Sequence, residues 1–256
     1  MSDSPVPELA HLTWTEAADL LSLQPVGLLP IGAIEAHGPH LPLNSDVVIA
    51  TAMAQSGGRQ LYASGLPAIV LPAISYSVSF AGACFNGTTP VTADAFRAYL
   101  ADILYHHSTQ GYRAICVCNA HLEPGNVEAV RKAVNEAQGA APIPIAFPDK
   151  RIDRWAARLG EEFQRGSRHA GCYETSIVMA AAPDQVRRTA LEELEPVWID
   201  LPAALRSGAS DFAEAGASHG YFGDPRAATA EQGEELLAVL GSMIHDSVLD
   251  AMFRPD

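Results

Sequence analysis

The amino-acid sequence predicts an α/β fold with a mainly parallel central sheet. Apolar runs of strand length alternate with helical patterns from near the start of the chain to about residue 182, which is typical of βαβ units. Of the 256 residues, 48% are hydrophobic, which is enough for one large core. Ionisable residues directly follow two of the apolar runs, at the edge where open parallel sheets hold their ligands. We therefore expect a single domain over residues 1–256.

The first half of the chain begins with a short helix and a buried strand. Thr13 or Thr15 is a suitable N-cap for a helix at residues 15–22. The mostly apolar run at residues 26–34 then predicts the first strand. The pattern continues with a helix at 46–64, a strand at 68–74, a loop at 75–89 and a helix at 93–110.

The second half repeats this alternation and then loses it. The sequence predicts a strand at 114–118, a helix at 126–138, a strand at 143–147, helices at 151–166 and 173–182, and a last helix at 229–252. Residues 188–226 contain three prolines and several glycines, so we expect irregular structure there.

Composition excludes several classes of function. The formal net charge of -14 repels nucleic acids and anionic membrane surfaces, so neither is an expected partner and a small-molecule substrate is favoured. No apolar run approaches the length of about 18 residues that a membrane span needs, and the first residues do not resemble a signal peptide. The four cysteines form no C-x-x-C pair and are expected to be free thiols. We expect a cytoplasmic protein.

Two pairs of ionisable residues predict a metal site. Glu35 and His37, and likewise His121 and Glu123, lie two residues apart just after an apolar run, so both members of each pair leave the strand on one side. With Asp46 as a bridge, the set supplies three carboxylates and two imidazoles, which is enough for two divalent ions. The excess of roughly one positive charge would be neutralised by a metal-bound hydroxide.

Each of these residues also has a structural interpretation. Glu35 could cap a strand end, His37 could be a surface imidazole, and Asp46 could be the N-cap of the helix that follows it. Glu123 could be a first-turn carboxylate that interacts with a helix dipole. We favour metal ligation because the first three lie close together in sequence, beside a Gly38-Pro39 turn that reverses the chain.

A third cluster joins His169 and Glu174, which are five residues apart. This spacing does not place them on one helix face, so a turn at Ala170-Gly171 must intervene. The functional interpretation is a proton donor together with a carboxylate that holds it or supplements the metal ligands. The structural alternative is a loop histidine followed by an acid at a helix N-terminus.

These clusters carry a resemblance to a known family. Residues 32–46, GAIEAHGPHLPLNSD, resemble the G-S-x-E-Q-H-G-P-H-L-P-x-x-x-D signature of the creatininase (creatinine amidohydrolase) family. The segments NAHLEPGN at 119–126, HAGCYETS at 169–176 and GYFGDP at 220–225 are similar to further motifs of that family. Their order and intervals also fit, so the resemblance covers about residues 10–250.

The resemblance implies a three-layer α/β/α fold, two zinc or manganese ions, and a homo-oligomer, commonly a hexamer. It further implies hydrolysis of a C–N bond in a small cyclic amide. Carried over by position, one ion would be held by Glu35, Asp46 and His121, and the other by His37, Asp46 and Glu123. His169 would be the catalytic histidine, with Glu174 beside it.

The mechanism expected from this set is attack on the amide carbonyl by a hydroxide held between the two ions. His169, with an ordinary pKa near 6.5, would protonate the leaving nitrogen, and Glu123 would help move the proton. The close alternatives are a formamide deformylase of pterin or flavin precursor synthesis and a peptidase that trims a modified peptide. A non-catalytic metal-binding assembly protein is disfavoured, because all five ligand positions are intact.

Departures from the family pattern concern the substrate pocket. Leu122 replaces an aromatic residue of the creatininase pocket, Arg168 replaces an acid, and Asn86 replaces the usual proline in the loop at residues 77–89. Losing an aromatic wall removes stacking for a flat cationic ring, and gaining an arginine attracts anionic or carbonyl-rich groups. We therefore expect creatinine to be a poor substrate compared with a neutral or acidic lactam.

Overall fold

The computed structural model describes residues 5–253 and contains a parallel four-stranded sheet at its centre. Residues 1–4 and 254–256 lie outside the described range. The predicted domain over residues 1–256 includes them, and the expectation that the chain lacks a signal peptide depends in part on residues 1–4. The strands are β1 (Val26–Ile31), β2 (Ala68–Val70), β3 (Ala114–Asn119) and β4 (Ile145–Ala146), in the spatial order β2-β1-β3-β4. The parallel arrangement confirms the predicted sheet.

Helices cover both faces of this sheet. In order along the chain, they are α1 (Trp14–Leu21), α2 (Ser45–Ala63), α3 (Ala93–Ser108), α4 (Pro124–Gln138), α5 (Asp153–Ala156), α6 (Glu161–Gln164), α7 (Cys172–Ala181), α8 (Arg188–Glu192), α9 (Leu201–Arg206) and α10 (Ala230–Phe253). Helices α2, α7 and α10 pack together on one face, and α3 and α4 pack on the other. The expected three-layer α/β/α fold is therefore confirmed.

The two layers are separated by the alternation of side chains along the central strands. Leu28 and Cys116 belong to the core beneath α2, α7 and α10, whereas Leu29 and Val117 belong to the core beneath α3 and α4. Successive side chains of a strand point to opposite faces, and both faces here are covered, so the strands read as continuous apolar runs.

Several element boundaries differ from the sequence prediction. The helix expected at 151–166 was wrong: it is two short helices, α5 and α6, separated by Gly160, whose φ of +90° is incompatible with a continuing right-handed helix. Helices α8 and α9 lie in the region expected to be irregular. Helix α1 begins as predicted, with a capping box in which Thr13 and Glu16 bond reciprocally to each other's backbone.

Helix α10 has the length and hydropathy of a membrane span, yet it packs as a core helix. Leu240 and Ile244 are completely buried, and α10 crosses α2 at very short range. A Cβ atom added to Gly57 of α2 would lie 2.7 Å from the side chain of Ile244. The glycine therefore allows the close helix contact that buries the apolar face of α10 against the core.

A second close approach brings the end of β1 to the start of α2. A Cβ atom on Gly32 would lie only 2.5 Å from the backbone nitrogen of Val47, so a side chain at this position would push α2 away. With glycine there, the first turn of α2 lies directly over the carboxyl end of β1. Asp46 in that turn thereby comes within reach of residues that follow the strand.

Candidate metal centre

Six buried ionisable side chains meet at the carboxyl ends of β1 and β3. Two follow β1, one lies in the first turn of α2, one follows β3, and two lie at the start of α7. Each residue is at most 7% exposed. They are Glu35, His37, Asp46, His121, His169 and Glu174.

The first group of possible ligands joins Glu35, Asp46 and His121. Nδ1 of His121 lies 3.0 Å from Oδ2 of Asp46 and 3.3 Å from Oε2 of Glu35. One donor atom from each residue falls within 4.8 Å of the other two, which is a spacing that a single ion can span. This is the first of the two ligand sets that the family resemblance implies.

The second group joins His37, Asp46 and Glu174. Nε2 of His37 lies 3.6 Å from Oδ1 of Asp46 and 3.5 Å from Oε2 of Glu174. These donors also satisfy the 4.8 Å spacing. Asp46 thus presents one carboxylate oxygen to each group, which is the arrangement that a bridging ligand requires.

His169 is close to both groups. Its Nδ1 lies 3.7 Å from Oε2 of Glu35, and its ring centroid lies 4.4 Å from that of His37. Glu35, His37 and His169 form a further set of three donors within 4.8 Å. By position, His169 can therefore act either as a proton carrier beside the centre or as an additional ligand.

Backbone carbonyls fix the orientation of all three imidazoles. Nδ1 of His37 donates to the carbonyl of Glu35 at 3.0 Å, Nε2 of His121 to that of Val78 at 2.8 Å, and Nε2 of His169 to that of Ala36 at 2.8 Å. A carbonyl oxygen only accepts, so these nitrogens carry the proton. The other nitrogen of each ring faces the carboxylates and would offer its lone pair to a metal ion, as in a metal ligand held by its outer neighbours.

The carboxylates are also oriented, but they remain incompletely paired. Ser79 Oγ donates to Oε1 of Glu35 at 2.8 Å, and the backbone nitrogen of Ala170 donates to Oε2 of Glu174 at 2.6 Å. By contrast, Glu35 Oε2, His37 Nε2 and Asp46 Oδ2 are buried and make no hydrogen bond. Unpaired buried acceptors are costly, so these atoms fit a site built for cations.

The buried carboxylates of the cluster favour positive charge on their neighbours. Burial alone would raise the pKa of Asp46, but the neighbouring His37 and His121 hold it well below its usual range. Burial likewise opposes protonation of these two imidazoles, yet the carboxylates raise the pKa of each to about 10. Burial raises the pKa of Glu35 and takes that of Glu174 to about 7. Divalent ions would supply the same charge and displace the protons.

His169 differs from the ordinary imidazole that the sequence suggested. Burial, together with the nearby His37, lowers the pKa of His169 well below 6.5. The ring is therefore neutral near pH 7 and must first accept a proton before it can donate one. The preceding geometry supports this role because the free Nδ1 faces the centre, while the turn at Ala170 has a strained φ of +51° that holds the ring in place.

Glu123 lies beside the centre but outside the three-donor groups found among residues 5–253. Its Oε2 accepts a hydrogen bond from the backbone nitrogen of Ala81 at 3.0 Å. The same oxygen is 4.0 Å from Nε2 of His121, which is the nitrogen bonded to Val78 and not the one that faces Asp46. Glu174 takes the position expected for Glu123 in the second group, so ligation by Glu123 stays a prediction.

A cavity of about 200 Å³ opens onto this centre. One part of its wall consists of ionisable residues of the centre: Glu35, Asp46, His121, Glu123, His169 and Glu174. The remainder of the wall is formed by Ala81, Leu122, Pro124, Arg151, Gly166, Arg168, Leu201 and Phe212. The reacting end of a substrate would thus contact the metal ligands and a mostly apolar enclosure at the same time.

The loop at residues 77–89 contributes to the centre itself, which no sequence pattern predicted. Val78 and Ser79 orient a histidine and a carboxylate, as described above. A Cβ atom on Gly82 would lie 2.8 Å from the side chain of Glu35, so the loop packs directly against this residue. The serine and glycine have no distinctive spacing, and only the folded chain brings them to the site.

Phe212 and Asn126 were also missed. The ring of Phe212 lies 4.3 Å from that of His169, and both residues line the cavity. The side-chain amide of Asn126 donates to the backbone carbonyl of His121 at 3.0 Å, alongside Asn119 at 2.7 Å. The N-x-H segment at Asn119 and the asparagine at 126 could have indicated the hydrogen bonds to the carbonyl of His121. Nothing in the sequence around Phe212 indicates its contact with His169.

Comparison with known proteins gives consistent matches over nearly the whole chain. A family model described as creatinine amidohydrolase matches residues 10–248. The mycofactocin precursor peptide peptidase of Mycobacterium tuberculosis (strain ATCC 25618 / H37Rv) is 31% identical over 255 residues, covering 95% of this chain and 91% of the relative. The creatinine amidohydrolase of Pseudomonas putida is 27% identical over 256 residues, with 94% and 95% covered.

Solved structures agree with this result. The crystal structure of a creatininase is 26% identical and superposes with a TM-score of 0.77, covering 99% of this chain and 100% of the other. A manganese form of creatininase and a mutant of Zn-Zn type have TM-scores of 0.74 and 0.75 at 23% and 24% identity, and each comparison covers 98% of this chain and 100% of the other. At that identity, these two similarities show the fold alone.

Proposed function

The chain belongs to the creatininase family of metal-dependent hydrolases, and from that premise we propose that it cleaves the C–N bond of a small cyclic amide with the help of two divalent ions. The observation that carries the proposal is that three buried ligand atoms, Glu35 Oε2, His37 Nε2 and Asp46 Oδ2, make no hydrogen bond. These atoms are costly in a protein without cations and are explained by a centre that binds them.

The donor set indicates which ions to test first. Imidazole nitrogens and carboxylate oxygens suit zinc and manganese, and structures of the same fold include a manganese form and a Zn-Zn type of creatininase. We assign one ion to Glu35, Asp46 and His121. We assign the second to His37, Asp46 and Glu174, with Glu123 as the alternative third ligand.

The ions, when bound, lower the pKa of a water molecule and polarise the amide carbonyl. The residues of the chain must then move the proton. His169 is neutral, so its free Nδ1 can accept a proton from the attacking water and return it to the leaving nitrogen. Phe212 packs against the ring of His169 and limits the access of bulk water to it. Glu123, at the cavity wall, is a second group that can carry this proton.

Cavity size favours a small reacting group. A volume of about 200 Å³ lies below the range of roughly 300–1,000 Å³ that is usual for sites that enclose drug-sized ligands. A five- or six-membered lactam fits such a space, whereas a peptide of several residues does not fit entirely inside it. The small volume therefore supports a cyclic amide as the reacting unit.

A peptidase that trims a modified peptide is the second candidate. It is supported by the 31% identity to the mycofactocin precursor peptide peptidase, which exceeds the 27% identity to creatinine amidohydrolase. The cavity could receive only the terminal unit of such a peptide, and the remainder would lie outside. Both candidates use the same metal chemistry and differ in what is attached to the scissile amide.

The proposal is tested by metal analysis combined with a substrate panel. The purified protein should contain about two divalent ions per chain, and removing them with a chelator should abolish hydrolysis that zinc or manganese then restores. The panel consists of lactams, formamides and short peptides. Turnover of peptides alone would replace the cyclic-amide proposal by the peptidase, and no turnover by fully loaded protein would contradict both. Cytoplasmic location and homo-oligomeric assembly stay predictions, the latter to be tested by light scattering.

A further inference from the structure

Arg168 is held rigidly in the wall of the cavity. Its Nε donates to the backbone carbonyl of Phe163 at 2.8 Å, and its guanidinium carbon lies 4.6 Å from the centre of the Phe163 ring. The side chain is half-buried and lines the same cavity as the candidate ligands. Stacking and the Nε bond together fix the plane of the guanidinium group.

The terminal nitrogens of Arg168 are left without a partner. Within the described part of the chain, they make no hydrogen bond, and no carboxylate lies within ion-pair distance of them. Arg151, the other arginine in the cavity wall, is different, because Asp149 accepts from its Nε at 2.9 Å and from a terminal nitrogen at 2.7 Å. Arg168 thus differs from Arg151, because Asp149 holds one terminal nitrogen of Arg151 and neither terminal nitrogen of Arg168 has such a partner among residues 5–253.

The surroundings of Arg168 favour an anion. Burial and the nearby Arg151 lower the pKa of Arg168 from its usual range, whereas Asp149 and Tyr173 act in the opposite direction and compensate its charge only in part. The guanidinium group remains protonated near pH 7, and its planar fork matches the two oxygens of a carboxylate. The neighbouring wall residues Leu122, Leu201 and Phe212 would contact hydrocarbon.

We propose that Arg168 binds a carboxylate of the substrate, which defines the substrate class as small amides that carry a carboxylate near the scissile bond. This inference rests on the proposed hydrolytic function, since it assumes that an amide occupies the same cavity. The carboxylate could belong to an acidic lactam or to the C-terminal residue of a peptide. In either case, the carboxylate would face Arg168 while the scissile amide faces the metal ligands.

The test compares substrates that differ only in the carboxylate. The lactam pair is 5-oxopyrrolidine-2-carboxylate and 2-pyrrolidinone, and the peptide pair is one short peptide with a free or an amidated C-terminus. The holoenzyme should prefer the acid of one pair. Arg168→Gln should raise KM for that acid by about 10–100-fold, with kcat within about threefold, because a charge-assisted bond is lost. KM for the neutral partner should not change.

Arg158→Gln is the matched control. Arg158 also lies over an aromatic ring, that of Trp155 at 5.6 Å, but it is not among the residues that line the cavity. Its replacement should leave both substrates unaffected. Arg168→Lys, which keeps the charge and loses the fork, should recover part of the lost affinity. Thermal unfolding of each variant will show whether it is folded.

The outcomes separate this inference from the proposed function. Equal use of acid and neutral substrates, or an equal effect of Arg168→Gln on both, overturns the carboxylate site while leaving the hydrolase intact. If no amide is hydrolysed, calorimetry with 5-oxopyrrolidine-2-carboxylate and 2-pyrrolidinone as ligands still decides. Tighter binding of the acid that Arg168→Gln removes supports the site, and equal affinities contradict it.

Discussion

The cavity has two walls that are built in different ways. We call Glu35, His37, Asp46, His121 and Glu174 the metal wall, although His37 itself does not line the cavity. We call Leu122, Arg168, Leu201 and Phe212 the outer wall. The metal wall is almost completely buried and is oriented by backbone carbonyls, by an amide nitrogen and by Ser79. Three of the four outer-wall residues are half-buried. We therefore expect the first wall to determine the chemistry and the second to determine the choice of substrate.

The origin of each wall in the chain explains this division. Three residues of the metal wall, Glu35, His37 and His121, follow strands β1 and β3. The parallel register of these strands pairs Ile31 with Asn119 and so brings their two ends together. Most of the outer wall lies after α6 and around α9, in segments that do not belong to the sheet. Such segments tolerate substitution better than strand ends do, so substrate choice can change while the metal site is kept.

The largest expected effect comes from breaking the metal wall at Asp46. Asp46→Asn removes the charge of the carboxylate that faces both ligand groups, so both ions should be lost and hydrolysis should fall to background. Elemental analysis of the purified variant measures this directly. Asp94→Asn is the control, since Asp94 is also a first-turn aspartate, in α3, but is exposed. Two ions retained by Asp46→Asn would remove Asp46 from the bridging position.

The sequence predicted much of the metal wall because its residues follow strands directly. The E-x-H pair at Glu35 and His37 and the approach of His121 depend only on strand ends that meet at one edge of a parallel sheet. The position of Glu174 depends instead on the turn at Ala170, which the sequence predicted from the spacing of His169 and Glu174 but whose positive φ it did not reveal. That turn, and not the strand-end spacing, brings Glu174 into the place expected for Glu123.

The outer wall could not be predicted in the same way. Phe212 reaches the cavity through an irregular segment, and its contact with His169 joins residues far apart in the chain. The break at Gly160 also went unrecognised, because a glycine within a helical pattern is often tolerated. Sequence patterns thus identified the fold and the edge where the site lies, but not the loops that complete it.

The second prediction separates proton transfer from metal binding. Since His169 is neutral and lies beside both ligand groups, His169→Ala should keep about two ions and reduce kcat by about 10²–10⁴-fold. Metal content and single-turnover rates should be measured on one preparation. His219→Ala, at an exposed histidine, should alter neither. Loss of an ion from His169→Ala would instead make His169 a ligand through its contact with Glu35 and His37.

The third prediction compares the two carboxylates that compete for the second ion. Glu174→Gln should weaken the binding of one ion by at least about tenfold, because its Oε2 faces His37 Nε2. Glu123→Gln should bind both ions more tightly than Glu174→Gln does, and its only defect should be a lower turnover. Competition with a chelator measures both affinities. If Glu123→Gln were the variant that loses an ion, Glu123 would be the ligand that the family resemblance implies. Metal binding would then have to break the hydrogen bond between the carboxylate of Glu123 and the backbone nitrogen of Ala81.

The smallest expected effect concerns the outer wall and creatinine. Creatinine is flat and carries no carboxylate, so Leu122 offers its ring no aromatic face and Arg168 has no anionic group of it to bind. The structure adds one aromatic ring, that of Phe212, but it packs against His169, so stacking of substrate there would compete with the histidine. We expect kcat/KM for creatinine to be at least about tenfold below that for the best lactam of the panel. Leu122→Phe should narrow this difference without changing metal content. A kcat/KM for creatinine on the order of 10⁴ M⁻¹s⁻¹ or more in the unmodified protein would contradict this prediction. Leu122 and Arg168 in the outer wall would then not determine the choice of substrate.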